Sequence, residues 1–253
     1  MIYWDLRSAR EHADLQAGLP PARFLSAPEK VFFARLKTPR RQKEWLLGRW
    51  AGKALVRAFL RSAGREVPAE AITIAPDPDG APFVLIAGEG ILRATLSLSH
   101  RDELALAVLI AEADAPLGAD LEKVEPRSPG FVTDFFTPGE AARVADASDP
   151  CRAVTEVWAL KEASLKAVRL GLSADTRRVE AVPRAVAAEG WGPSPVALSL
   201  PSLVAKGSAF VRDEGSYVVA VAWLGGTPKA APSDLLRGQP VLDARPLGQE
   251  AAA

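Results

Sequence analysis

A single cysteine, Cys151, and two histidines, His12 and His100, stand in a chain of 253 residues. One cysteine excludes a disulfide framework and any multi-cysteine zinc site, and it fits a reducing compartment. So few histidines leave no room for a histidine-rich metal centre, which hands any metal to carboxylates. Net charge is missing too, since 31 Lys and Arg balance 31 Asp and Glu. That argues against bulk attraction to nucleic acid or an anionic membrane, while leaving room for a local basic patch. The longest strongly apolar runs, Leu104–Ala111 and Tyr217–Leu224, fall far short of the ~20 residues a membrane helix needs. Met1-Ile2-Tyr3-Trp4-Asp5 shows no basic stretch leading into an apolar core, so no secretory signal is expected. No nucleophile elbow, P-loop, dinucleotide glycine fingerprint or zinc spacing occurs, which disfavours serine hydrolases, P-loop kinases and dehydrogenases. What is present is apolar material, 48% of the residues, too much for a disordered chain. The expectation is a soluble, cytoplasmic globular protein that binds neither nucleic acid nor membrane.

Hydrophobic periodicity organises the chain. In Arg40–Ser62, Trp45, Leu46, Trp50, Ala54, Leu55 and Ala58 recur at helical spacing, and Gly64 is a stop signal. Ile72–Ala75 and Phe83–Ile86 read as short strands joined by the turn Pro76-Asp77-Pro78-Asp79-Gly80. Ala94–His100 alternates apolar and small polar residues with period two, as a half-buried strand does. Leu104–Ala111 reads as a buried strand, with a helix as the competitor. The break at Glu112–Pro116 divides the chain. Leu117–Lys123 resumes as a strand, Thr137-Pro138-Gly139-Glu140 is a helix start, and Ala153–Leu170 is a helix capped by Gly171. Val196–Leu200, Gly207–Arg212 and Ser216–Leu224 read as antiparallel strands. The halves share a pattern of helix, strands and a terminal apolar strand. The organisation expected is therefore two similar α+β lobes, 1–115 and 116–225, with a loosely ordered tail over 226–253.

Four places offer chemistry. Asp120 and Glu122, two apart on a strand, project from one face; they are either solvated acids or a pair sharing a hard cation such as Mg2+. On the helix around Trp158, Glu162, Lys166 and Arg169 form a stripe, which is either an ordinary surface with an i,i+4 ion pair or a site. Ser99 and His100 close the alternating strand, beside Arg101, as a phosphate grip or as a turn histidine bonded to backbone. Arg49 and Lys53 share a helix face downstream of Arg40, Arg41 and Lys43, forming a solvated basic face or a surface for phosphate or an acidic partner.

Taken in order, Gly-Arg-x-x-x-Lys at Gly48–Lys53, Ser-x-Ser-His at Ser97–His100, Gly-x-Asp-x-Glu at Gly118–Glu122 and Trp-x-x-Lys-Glu-Ala-x-x-Lys at Trp158–Lys166 resemble the 4'-phosphopantetheinyl transferases of the surfactin-synthetase-activating type. The resemblance runs from about Arg40 to Leu224. It implies a monomer of two α+β lobes related by pseudo-twofold symmetry, the 4'-phosphopantetheinyl transferase fold, with coenzyme A and Mg2+ between them. It further implies transfer of the phosphopantetheine arm of coenzyme A to a serine of an apo acyl or peptidyl carrier protein, releasing adenosine 3',5'-bisphosphate. By the same resemblance, Asp120, Glu122 and Glu162 are the Mg2+ ligands, and Glu162 or a water it orients accepts the serine proton. Lys166 serves the leaving phosphate, and Arg49, Lys53, Ser99, His100 and Lys161 hold coenzyme A. The basic segment Arg40–Lys53 is expected to meet the carrier. One departure stands out: Gly80-Ala81-Pro82 has alanine where many members carry lysine, and Arg101 is the candidate to make up that contact. The alternative is a catalytically silent carrier-binding protein of the same fold.

Overall fold

The computed structural model describes residues 1–183, 190–200, 203–225 and 232–234, in which two halves are built on one plan. The first half runs through β1 (Ile2–Ser8), α1 (Ala13–Ala17), α2 (Ala27–Phe33) and the long α3 (Pro39–Ser62). It continues with β2 (Ile72–Pro76), β3 (Pro82–Ile86) and β4 (Gly90–Ile91), which form a small sheet, and ends in the antiparallel pair β5 (Thr95–Arg101) and β6 (Leu104–Ile110). The second half comprises β7 (Leu117–Lys123), α4 (Pro129–Phe135), α5 (Pro138–Ala145) and α6 (Pro150–Ala167). After these come β8 (Val179–Ala181), β9 (Gly192–Leu200), β10 (Leu203–Glu214) and β11 (Tyr217–Trp223). The two larger sheets have the orders β12-β1-β6-β5 and β7-β11-β10-β9-β8, where β12 (Ser233–Asp234) lies parallel to β1. Among the described residues no helix is long and apolar enough to cross a membrane.

Each long helix forms because its caps and its apolar stripe agree. Thr38 caps α3, with Pro39 in the first turn, and Asp149 caps α6, with Pro150 in the first turn, so orphan N–H groups are met where proline has none to offer. Leu47, Ala51, Leu55 and Val56 of α3 then pack on Ala105, Ala107 and Leu109 of β6. Ala159, Leu160, Ala163 and Ala167 of α6 pack on Val218, Ala220 and Ala222 of β11. A third cluster joins the halves, with Leu106, Val108 and Ile110 meeting Leu117, Ala119, Leu121, Val219 and Val221. Polar bonds fix the join at β5 and β7. The Ala119 N–H donates to Ser97 Oγ at 2.9 Å, and Ser99 Oγ donates to Asp120 Oδ1 at 2.9 Å.

Buried lysines mark the shared plan. Lys53 of α3 donates to Glu29 of α2 and to the carbonyls of Phe24 and Ala69. Lys161 of α6 pairs with Glu140 of α5 at 2.8 Å and donates to the carbonyls of Thr176 and Val179. Both glutamates close a capping box, with Ser26 and with Thr137. Each also accepts from a strand N–H, that of Ile74 or of Ala181. One carboxylate per half thus ties two helices to a strand.

The expected elements appear with altered limits. Leu104–Ile110 is a strand, because it pairs along its length with both β1 and β5. The last helix is displaced toward the N-terminus, ending at Ala167, and Arg169 with φ 59° precedes Gly171 in leaving the helix. Of the expected loose tail, only 232–234 are described, where Ser233 and Asp234 pair with Tyr3 and Trp4. The rest of 226–253 lies outside the described residues.

Candidate active site at the junction of the halves

Period two on β7 sends Asp120 and Glu122 to the same side of the strand, toward α6 and the end of β5. Gly118, two residues earlier, lets α6 approach the strand, since a Cβ there would lie 1.9 Å from the Ala163 carbonyl oxygen. This backbone contact, which no side chain permits, brings Glu162 and Lys166 over Asp120. Lys166 Nζ donates to Asp120 Oδ1 at 2.6 Å, to Ser99 Oγ at 3.2 Å and to the Ala119 carbonyl at 3.1 Å. Trp158 Nε1 donates to Glu122 Oε1 at 3.2 Å. The structure therefore gathers Ser99, Asp120 and Lys166 into one hydrogen-bonded group, with Glu122 on the same strand face bonded to Trp158 and Arg127 and Glu162 beside them.

Electrostatics there is uneven. Glu162 has its pKa pushed up to about 7, chiefly by burial, then by Asp120 and Glu122, with Lys166 opposing. Glu122 is also raised, by burial first and then by Asp120, against Arg127 and Arg101. Asp120 Oδ2 is buried and has no hydrogen-bond partner. Crowded, half-desolvated carboxylates that keep a lone acceptor favour any cation, whether a proton or a metal. Among the described residues no three of His, Cys, Asp and Glu form a ready-made metal cage. The donors fit a hard cation nonetheless, since all are oxygens and Asp120 Oδ2 lacks a partner.

His100 stands exposed at the rim. Its pKa is lowered by partial desolvation first, then by Arg41 and Lys166, with Glu44 opposing. It lines a cavity of about 1060 Å3 with Arg40, Lys43, Glu44 and Arg101, so the start of α3 and the end of β5 face one another across it. A second cavity of about 270 Å3 lies between Thr95–Leu98, the turn at Asp79–Pro82, Lys166 and Arg169.

Lys53 and Lys161 are not brought to this cleft. Both side chains are buried, 1% and 0% exposed, and their ammonium donors are spent on the carboxylate and carbonyls described above. A buried lysine keeps its charge only where such partners surround it. Arg49 stays half within the first lobe, stacked over Trp45 at 4.4 Å, and burial lowers its pKa to about 10. Arg101 does not reach the Ala81 turn, because its guanidinium pairs with Glu125 at 2.6 Å and faces Glu122 at 3.8 Å. Arg169 is the guanidinium lining the cavity beside Ala81, held by Asp77 and Asp114. Arg127, which bonds Glu122 at 2.9 Å, was not marked by the sequence. Its position after Asp-x-Glu and before the α4 cap Ser128 was the only signal available.

Residues 116–199, which hold the carboxylates and Lys166, match the model of the 4'-phosphopantetheinyl transferase superfamily. A holo-[acyl-carrier-protein] synthase of Geobacillus kaustophilus is 35% identical over 98 residues, covering 38% of this chain and 74% of that protein. A phosphopantetheinyl transferase of Thraustochytrium sp. is 30% identical over 143 residues, covering 51% of this chain and 48% of that protein. Among solved structures, the holo-[acyl-carrier-protein] synthase of Thermotoga maritima aligns with a TM-score of 0.36 at 20% identity, over 54% of this chain and 74% of that one.

Proposed function

Because this chain belongs to the 4'-phosphopantetheinyl transferase superfamily, we propose that it moves the phosphopantetheine arm of coenzyme A to a serine of an apo carrier protein in the cleft between its halves. The observation that supports this most is the convergence of Asp120, Glu122 and Glu162 with Lys166 and Ser99 at one junction. Asp120, Glu122 and Glu162 are the residues that would hold Mg2+. Bound there, the ion would neutralise pyrophosphate oxygens that repel an incoming hydroxyl.

The chain's own groups supply the rest. Glu162, whose pKa is pushed up to about 7 by burial and by its carboxylate neighbours in the cation-free chain, or a water it orients, would accept the serine proton. Lys166, released from Asp120, offers a cation to the departing phosphate. His100 at the end of β5, and Arg40 and Lys43 at the start of α3, line the approach for phosphate groups, with Ser99 held next to His100 against Asp120. The same basic rim suits a carrier that is acidic around its serine. Lys53, Lys161 and Arg49 act from behind the site, by tying α3 to Glu29 and α6 to Glu140.

The function is tested by incubating the protein with coenzyme A, Mg2+ and a panel of apo carrier domains, then weighing the carriers. The expected result is a gain of one phosphopantetheine on at least one carrier. Carrier binding without any mass gain would favour a catalytically silent binding protein instead.

The carboxylate crowding also predicts a pH dependence. Glu162 is raised from 4.5 to about 7 in the folded chain. A raised acid stabilises the fold fully below its unfolded pKa, and that contribution is lost as pH rises through the folded value. Without divalent cation, the melting temperature should therefore fall between pH 4.5 and about 7. Added Mg2+ should restore it on the alkaline side. Thermal melts across this range, with and without Mg2+, check both points, and no Mg2+ effect at the alkaline end would count against the cation site.

A further inference from the structure

Glu122 is closed on both of its oxygens. Oε1 accepts from Trp158 Nε1 at 3.2 Å, and Oε2 accepts from Arg127 at 2.9 Å, with Arg101 behind at 3.8 Å. The guanidinium of Arg127 is fixed from the other side, lying over the Phe131 ring at 5.2 Å. Phe131 in turn meets Trp158 edge to face at 4.8 Å. Arg127, Phe131, Trp158 and Glu122 thus form a closed ring of contacts. Asp120 differs, because only one of its oxygens is engaged and the other is buried without a partner.

Both guanidiniums also have somewhere else to go. Glu125 takes Arg101 at 2.6 Å and Arg127 at 3.4 Å. Leaving Glu122 would therefore strand no buried charge, which is the usual cost of breaking such a pair. The Nε atoms of Arg101 and Arg127 are buried and unpartnered, so neither guanidinium is fully satisfied where it stands. This is the geometry of an exchangeable counter-ion.

We propose that Arg127, with Arg101 behind it, is a positioning residue that stands in for the divalent cation at Glu122 and so sets the affinity and order of cation binding. A guanidinium and a divalent ion cannot share Oε2 without repulsion. By linkage, whatever Arg127 contributes to the cation-free state is subtracted from cation binding. The inference rests on the cation-site reading above.

The test uses the whole protein and Mn2+ as the probe, with bound metal counted by electron paramagnetic resonance, with and without coenzyme A. Arg127→Gln should bind Mn2+ roughly tenfold more tightly than the parent chain, within the range of ordinary coupling between sites. Arg127→Lys, which keeps the charge, should stay near the parent. Unchanged or weaker binding by Arg127→Gln would overturn the proposal, showing that Arg127 merely braces the loop or orients Glu122 for the metal. Should Arg127→Gln fail to fold by circular dichroism, Arg101→Gln carries the same expectation in the same direction. If the parent chain binds no Mn2+ even with coenzyme A, the cation site itself fails and this proposal falls with it. That outcome is distinguished from the previous one by the silent parent.

Discussion

Glu162→Gln is expected to lower the rate of phosphopantetheine transfer by about 10²–10⁴-fold, the span of a lost general base, while the protein stays folded. Glutamine keeps the shape of the side chain and removes its charge and its capacity to take a proton. Among the described residues no donor holds the Glu162 carboxylate. Its burden is instead the crowding by burial, Asp120 and Glu122 that pushes its pKa up to about 7. Removing that crowding should leave the melting temperature unchanged or slightly raised, which separates a chemical loss from a folding loss. Mass spectrometry of the carrier over time gives the rate, and a thermal melt gives the stability. Full activity in a folded Glu162→Gln protein would refute its role as base.

Lys161→Met is expected to act in the opposite way, on stability. Lys161 is fully buried and pairs with Glu140, which is itself fully buried, at 2.8 Å. Removing one partner leaves an uncompensated carboxylate and two unpaired carbonyls, which costs about 3–5 kcal/mol. For a chain of this size that lowers the melting temperature by roughly 10 °C. The double variant Glu140→Gln/Lys161→Met should recover part of the loss, since it removes the stranded charge. Measured below the transition, KM for coenzyme A should barely change. A rise in KM with an unchanged melting temperature would instead place Lys161 in the substrate site, as the family resemblance implied.

The two predictions concern neighbours in the chain, and their contrast shows what could be read in advance. On a helix, adjacent residues point about 100° apart. The stripe through Trp158, Glu162 and Lys166 was visible from spacing alone, as was the common face of Asp120 and Glu122. Lys161 reads as a surface residue by type, because nothing local announces a carboxylate that arrives from α5. The same is true of Lys53 and Glu29. β1 also escaped the periodicity reading. Its Asp5 and Arg7 lie buried against one another at 2.6 Å, an ion pair inside a strand that pattern alone treats as solvent-facing. Arg101 was expected to serve the Ala81 turn, and the structure sends it to Glu125.

The amino-acid order alone determined the principal elements around the site and the chemical types they carry. Periods of 3.6 and 2, proline and glycine stops, and the capping residues act over a few neighbours, so α3, α6, β5 and β7 and their outward faces are local consequences. Only the tertiary structure decided which basic groups go inward and which carboxylates meet. Those outcomes depend on contacts between residues far apart in the chain, such as Gly118 against Ala163 or Ser99 against Asp120. A charge survives burial only where the rest of the chain brings it a partner.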